Sequence, residues 1–140
     1  MAVSRIFWDT NIVLDLLAER HPYYEPAAKL ATLADQGRVI LVCSALTFAT
    51  AHYLLSKFGN AVRAKESLRK FKVICEVCPI DEAIVEKGLN ADFTDFEDSL
   101  QYYSAIKANC GVIITRNAPD FKLADIPVMN AQEYLSSIKP

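Results

Sequence analysis

Apolar and polar positions along this chain follow two alternating patterns. Short β-prone apolar runs predict buried strands at Arg5–Trp8, Val39–Cys43, Lys72–Cys78 and Val112–Thr115, with a fifth in "IPVMN" near residue 128. Helical spacing between these runs predicts helices near 11–18, 23–36, 46–57, 60–71, 81–90, 95–109 and 131–138. Alternation of this kind predicts an α/β fold, a three-layer α/β/α sandwich with a central parallel sheet of four to five strands, in a single domain over residues 1–140.

Composition narrows the class of protein further. The chain is 52% hydrophobic and 23% charged, which is typical of a soluble globular domain and not of a disordered tail. No apolar run reaches the roughly 18 residues of a membrane span, and no basic-then-apolar leader opens the chain. We therefore expect an intracellular, cytoplasmic protein with no membrane partner.

The four cysteines raise the question of a metal or redox site. Cys75 and Cys78 form a C-x-x-C motif, which would suit zinc or redox chemistry. The surrounding run is predicted to be a strand, however, where residues three apart point to opposite faces. No second C-x-x-C or histidine pair completes a tetrahedral site. We therefore expect all four cysteines to be reduced residues of the core.

The charge distribution is uneven although the net charge is only −2. Residues 57–72 contain one acidic residue, Glu66, and six basic residues: Lys57, Arg63, Lys65, Arg69, Lys70 and Lys72. A basic run on a helix usually forms a solvated face. The alternative is a rim that contacts phosphate, with Arg63, Lys65 and Arg69 as candidates for RNA contacts.

Polar side chains follow two of the predicted strands. Asp9 and Asn11 come after the first strand, and Arg116, Asn117 and Asp120 come after the strand at 112–115. In an open parallel sheet, ligands bind beyond the carboxyl ends of the strands. We therefore expect these residues to face a common site, although Asn, Pro and Asp are also ordinary turn residues.

A third group of acids opens the helix predicted near 95–109. Its apolar stripe is predicted to face the core and comprises Phe96, Leu100, Tyr103 and Ile106. Asp95 and Asp98 lie about one turn apart on another side, with Glu97 between them. The alternative is that Thr94 or Asp95 simply caps the helix and the acids favour its first turn.

One oxygen-rich pocket would account for all three groups together. Carboxylates gathered in a pocket usually require a divalent cation, and hard oxygen ligands without histidine or cysteine select Mg²⁺ or Mn²⁺ over zinc. Asp15, which lies one and a half turns beyond Asp9, is expected to be a solvated surface residue, with the rim of the pocket as the alternative.

Three motifs of this chain resemble those of the PIN domain family. They are "DTN" after the first strand, "FEDSLQYYSA" on a late helix and "ITRNAPDF" after a later strand, and the resemblance extends from about residue 5 to 136. The family comprises compact metal-dependent ribonucleases, including the toxins of bacterial toxin–antitoxin pairs. The resemblance implies a PIN-like fold and an Mg²⁺- or Mn²⁺-dependent endoribonuclease that hydrolyses RNA phosphodiester bonds. It also implies an antitoxin partner, as for a type II toxin, and a homodimer.

Two of the four acids in the family's pocket have counterparts in this chain. The first corresponds to Asp9, with Asn11 as its usual companion, and the third corresponds to Asp98, with Asp95 and Glu97 close by. The resemblance implies that Asp9 and Asp98 are the principal metal ligands and that Asp95 supports them. Asn11 would orient water or a phosphate oxygen by hydrogen bonds.

The other two acids are replaced. Thr50 stands where a glutamate is expected in "SALTFATAHYLL", and Asn117 stands where an aspartate is expected, with Asp120 three residues further on. The resemblance implies that Asp120 is a supporting ligand, that Asn117 belongs to the catalytic set, and that Thr47 and Thr50 assist without supplying charge. Arg116 is a candidate phosphate contact. Losing two charges should weaken metal binding.

The two replacements leave other functions open. A PIN-fold module that has lost catalysis and binds RNA or a protein is the main alternative. A phosphatase of the haloacid dehalogenase type also begins with an aspartate after its first strand, but that chemistry needs a second aspartate where Asn11 stands. A phosphate-receiver domain would need an acidic pair at the first strand end.

Overall fold

The computed structural model describes residues 3–138 of the chain. Over this range five strands form: Ser4–Trp8 (β1), Val39–Ser44 (β2), Cys75–Cys78 (β3), Val112–Ile114 (β4) and Val128–Met129 (β5). The α-helices in the same range are Thr10–Leu17 (α1), Tyr24–Asp35 (α2), Ala45–Lys57 (α3), Ala61–Lys72 (α4), Glu82–Leu89 (α5), Phe96–Lys107 (α6) and Ala131–Ser137 (α7). A 3₁₀ turn at Ala118–Phe121 follows β4. The predicted strands and helices are therefore confirmed, with boundaries that differ by a few residues.

All five strands are parallel and lie in the order β3-β2-β1-β4-β5. The order reverses beside β1, because the chain first builds outward through β2 and β3 and later adds β4 and β5 on the other side. This reversal opens a crevice at the carboxyl ends of β1 and its neighbours. The prediction of a three-layer α/β sandwich with a parallel sheet of up to five strands is confirmed.

The central strand β1 is buried on both faces, as expected for a parallel sheet. Ile6 and Trp8 point into one apolar cluster, where Trp8 stacks on Phe71 of α4. Phe7 points the other way, into a cluster that includes Tyr102 of α6. Successive side chains of β1 therefore pack against helices on opposite faces of the sheet, and this packing fixes the position of the strand.

The third strand is shorter than predicted. It begins at Cys75 and not at Lys72, because α4 continues through Lys72 and the backbone amides of Val73 and Ile74 still bond back into its last turn. Cys75 and Cys78 lie in different apolar clusters on opposite faces of the sheet. All four cysteines are buried and free of disulfides, so their interpretation as core residues is confirmed.

Helix α6 faces the sheet with a different side from the one predicted. Phe96 and Ile106 of the expected stripe are 44% and 38% exposed. The buried side comprises Ser99, Leu100, Gln101, Tyr102, Ser104 and Ala105. Small and polar side chains thus make up much of the side that packs on the strands. The prediction that the apolar stripe faces the core is therefore wrong for Phe96 and Ile106.

Among residues 3–138, no helix combines the length and the apolar character that a bilayer span requires.

Candidate active site at the carboxyl edge of the sheet

Asp9 joins the end of β1 to the start of α1. Its backbone N–H donates to the carbonyl of Ile114 at 2.9 Å, which extends the pairing of β1 with β4 by one residue. Its own backbone is extended, and its Oδ1 accepts the N–H of Thr10 at 2.9 Å, so that it caps α1. A carboxylate can therefore follow a buried strand because it satisfies an orphan amide of the next helix.

Each oxygen of Asp9 has one short and one long hydrogen bond. Oδ1 accepts from Thr10 at 2.9 Å and from Gln101 Nε2 at 3.5 Å, whereas Oδ2 accepts from the Thr115 hydroxyl at 2.9 Å and from Asn11 Nδ2 at 3.4 Å. Burial raises the pKa of Asp9, and the bonds from Thr115 and Thr10 offset part of that rise. The long bonds are weak, so each oxygen can still accept another ligand.

Asp98 lies in the first turn of α6 and faces the same cleft. Burial and the negative charges of four other acids together raise the pKa of Asp98 to about 7; burial is the largest cause, and the acids are Asp9, Asp95, Asp120 and Glu97. Carboxylates from the end of β1, the start of α6 and the 3₁₀ turn after β4 thus lie close enough to repel one another. Such a cluster favours binding of a cation.

A cleft of about 280 Å³ opens where these elements meet. Its lining residues are Asp9, Thr10, Asn11, Leu14, Arg20, Leu46, Thr50, Glu97, Asp98, Gln101 and Arg116. It therefore contains both carboxylates and guanidinium groups. This combination suits a ligand that carries a cation on one side and negative oxygens on the other.

Several residues predicted for the site lie beside the cleft. Asp95 is exposed and caps α6 by accepting the amides of Glu97 and Asp98 at 2.8 and 3.3 Å, so the alternative of a helix cap holds for it. Asp120 and Asn117 are exposed at the 3₁₀ turn. Neither of them lines the cleft, although the negative charge of Asp120 contributes to the raised pKa of Asp98. The roles of Asp120 and Asn117 in metal binding or catalysis stay predictions.

The predicted supporting threonines occupy different positions. Thr50 is half-buried and lines the cleft, whereas Thr47 is fully buried beneath it. The basic residues Arg63, Lys65 and Arg69 lie exposed on α4, and the last two border a groove with His52. Whether they contact RNA stays a prediction.

Gln101 is a site residue that the sequence did not reveal. It is buried on α6, where its Nε2 donates to Thr47 Oγ1 at 2.7 Å and to Thr10 Oγ1 at 3.3 Å. Its Oε1 accepts from the hydroxyl of Ser44 at the end of β2. One amide thus ties together β2, α1, α3 and α6. The only sequence signal was a glutamine in the middle of a helix that packs on a sheet.

The prediction that Asp15 is a solvated surface residue is wrong. Asp15 is fully buried on α1. Its Oδ2 accepts from Nε of Arg116 at 2.8 Å, and its Oδ1 accepts from Nε of Arg20 at 3.0 Å. Arg116 is therefore engaged by a carboxylate as well as lining the cleft. A buried carboxylate needs such partners; here Arg20 is five residues away along the chain and Arg116 is 101 residues away.

A divalent cation needs several ligands around one point. Within residues 3–138, no three Asp, Glu, His or Cys side chains surround one point closely enough to hold a metal ion. Mg²⁺, however, is often bound through one or two carboxylates and keeps several of its waters. Asp9 and Asp98, with the side-chain amide of Asn11 also lining the cleft, fit that chemistry.

The fold and the cleft define an α/β protein with an acidic ligand site at the strand-order reversal. A family model described as PIN domain matches residues 5–118, and the chain belongs to this family. The resemblance seen in the sequence motifs is therefore confirmed. A curated relative, Ribonuclease VapC1 of Aquifex aeolicus (strain VF5), is 28% identical over 139 residues, covering 96% of this chain and 95% of the relative.

Solved structures share the fold at low sequence identity. DNA-bound VapBC from Salmonella typhimurium matches with a TM-score of 0.70 and 16% identity over 92% of this chain and 99% of that one. VapBC2 from Rickettsia felis, bound to a DNA fragment from its promoter, matches with a TM-score of 0.68 and 18% identity over 90% and 97%. The sarcin-ricin loop cleaving toxin VapC20 of Mycobacterium tuberculosis matches with a TM-score of 0.62 and 14% identity over 77% and 86%.

Proposed function

We propose that this protein is an Mg²⁺- or Mn²⁺-dependent endoribonuclease and the toxin of a type II toxin–antitoxin pair. The observation that carries the proposal is the mutual repulsion of Asp9 and Asp98 in one cleft, because a bound divalent cation would relieve it. Membership of the PIN domain family and the full-length similarity to a ribonuclease support the same activity.

Asp9 and Asp98 would hold the cation, with Asp95 and Asp120 acting through water from the edge of the cleft. A divalent cation held here would supply Lewis acidity, which would polarise a phosphate oxygen and make a water molecule more acidic. The short bonds from Thr10 and Thr115 fix the carboxylate of Asp9, so its free lone pairs keep a constant direction. Asn11 and Asn117 would orient water or a phosphate oxygen, and Asn117 completes the proposed catalytic set.

The substrate would be held by positive charge outside the acidic cluster. Arg116 lines the cleft and is proposed to contact a phosphate oxygen there. Arg63, Lys65 and Arg69 on the exposed side of α4 are proposed to contact the RNA backbone further away.

An antitoxin partner is proposed from the comparisons and from one surface. Several of the similar solved structures are toxin–antitoxin complexes. In this chain Tyr53, Phe58 and Val62 on the α3–α4 hairpin are 63%, 81% and 72% exposed. Exposed apolar side chains grouped in this way are typical of a protein interface. A homodimer stays a prediction.

The decisive test is cleavage of mixed RNA in Mn²⁺ by the wild-type protein and by the double variant Asp9→Asn/Asp98→Asn. We expect cleavage by the wild type only, because the variant keeps the side-chain shapes but removes both anionic ligands. Asp35→Asn, at the far end of α2, is the matched control and should cleave normally. Equal cleavage by wild type and double variant would rule out this site.

A PIN-fold module that only binds RNA or a protein is the second candidate. Thr50 in the cleft, at the position of an expected acid, is the observation in its favour. Calorimetric titration with Mn²⁺ separates the two functions. Binding heat that disappears in the double variant supports the nuclease, whereas absence of heat together with intact RNA supports the binding module.

A further inference from the structure

Two arginines from separate parts of the chain meet on one buried carboxylate. Asp15 of α1 is fully buried, and its two oxygens accept both Nε and Nη2 of Arg116, at 2.8 and 3.0 Å. The same carboxylate accepts Nε of Arg20 at 3.0 Å. The pair with Arg116 is a two-pronged contact, which fixes both the position and the plane of the guanidinium.

Each guanidinium has a second anchor. Arg20 Nη2 donates to the backbone carbonyl of Asn11 at 3.0 Å. The guanidinium carbon of Arg116 lies 3.9 Å from the centre of the Tyr23 ring, a cation–π contact. Both forks are therefore held in place before any ligand arrives, and little side-chain freedom is left to lose on binding.

The anchored arginines still have donors to offer. A guanidinium carries five N–H groups, and the contacts above use two on each arginine. The side chains of Arg116 and Arg20 are 28% and 42% exposed, and both line the cleft that contains Asp9 and Asp98. Within this cluster, two arginines against the single charge of Asp15 leave one excess positive charge.

We propose that Arg20 and Arg116 form a two-guanidinium clamp for a phosphodiester group of RNA, and that Asp15 is the positioning residue that holds both. Guanidinium forks match the oxygen geometry of phosphate, which is the negative group that this RNA substrate presents. The clamp lies in the same cleft as the carboxylates, so the phosphate can reach them. This inference rests on the proposed function for its substrate class.

The alternative is that the arginines serve only to neutralise Asp15. That role needs the ion pairs but no free N–H group in the cleft, and it predicts changes in stability without changes in RNA binding. The two roles are therefore separable by measuring binding and folding on the same variants.

The experiment measures binding of a fluorescein-labelled single-stranded RNA 20-mer of mixed sequence in EDTA, at several salt concentrations. Without metal the RNA is not cut, so the result does not depend on catalysis. We expect Arg20→Gln and Arg116→Gln each to bind about tenfold more weakly, with the salt slope reduced by about 0.7 per lost phosphate contact. Arg116→Lys keeps the positive charge but not the forked geometry of the guanidinium. Its salt slope should therefore be close to that of the wild type, whereas its affinity for the RNA should stay reduced.

Arg38→Gln is the matched control, because Arg38 is exposed before β2 at the opposite edge of the sheet. It should bind within twofold of the wild type. Asp15→Asn should lose affinity as the arginine variants do, and adding Arg116→Gln to it should cost little more, since the arginine is already released. Should Asp15→Asn fail to fold by circular dichroism, the arginine variants alone decide the matter.

Wild-type affinity and salt slope in both Arg20→Gln and Arg116→Gln would overturn the clamp, as would absence of RNA binding by the wild type. The proposed nuclease activity is judged separately, by cleavage in Mn²⁺. A protein that binds through the clamp but does not cleave would refute the enzyme and keep the clamp.

Discussion

The raised pKa of Asp98 makes the stability of the metal-free protein depend on pH. The folded state raises this pKa from 3.8 to about 7, so between these values the folded chain binds a proton that the unfolded chain releases. Protonation therefore stabilises the fold at low pH, and this contribution is lost as the pH rises through 7. One pKa unit is worth about 1.4 kcal/mol, which gives about 4 kcal/mol for a fully shielded carboxyl. Because Asp98 is half-buried and partly screened by solvent, we expect about 2 kcal/mol.

Asp98→Asn removes this charge and should show the effect directly. In EDTA we expect the variant to be more stable than the wild type by about 2 kcal/mol at pH 8 and by less than about 1 kcal/mol at pH 5. Urea unfolding at the two pH values measures both differences, and comparing the two proteins cancels the titration of groups that do not interact with Asp98. Asp35→Asn should show no such pH-dependent gain. A difference that stays constant with pH, or that favours the wild type at pH 8, would refute the reasoning.

Two further variants test the cleft and the residues beneath it. Thr50→Glu places a carboxylate at the position of the missing acid, so the Mn²⁺ affinity measured by calorimetry should rise at least tenfold, while stability in EDTA should fall. Unchanged affinity would show that this position does not face the cation. Gln101→Leu removes the partners of the Ser44 and Thr47 hydroxyls and should cost about 2–3 kcal/mol in urea unfolding, whereas Gln132→Leu on the exposed side of α7 should change stability by less than about 0.5 kcal/mol.

The sequence predicted the fold well because its local signals agree with one another. Apolar runs and helical spacing identified all five strands and all seven helices described between residues 3 and 138. The rule that ligands bind at the carboxyl edge of a parallel sheet placed Asp9 at the site. The hypothesis of one oxygen-rich pocket and the PIN domain motifs placed Asp98 in the same cleft, although it is 89 residues further along the chain. The elements therefore follow from periodicity, and the shared cleft was expected from residue types and family motifs.

The sequence could not show which polar residues are buried. Gln101 was missed because its partner Ser44 lies 57 residues away. Asp15 was missed because the partner that contacts both of its oxygens, Arg116, lies 101 residues away, although Arg20 is only five residues from it. The orientation of α6 was missed for a related reason, since Ser99 and Ser104 pack inward where apolar residues were expected. Burial of a polar group depends on its partners, and no local pattern records them.

Helix α1, which has only about two turns, links the proposed cation ligand at its N-cap to the carboxylate that holds the two arginines. Asp9 caps its first residue, and Asp15, six positions later, holds the arginines. Inserting or deleting one residue between them would swing everything downstream by about 100° around the helical axis. In the proposed site, the number of residues between Asp9 and Asp15 would therefore set the distance between the cation and the phosphate.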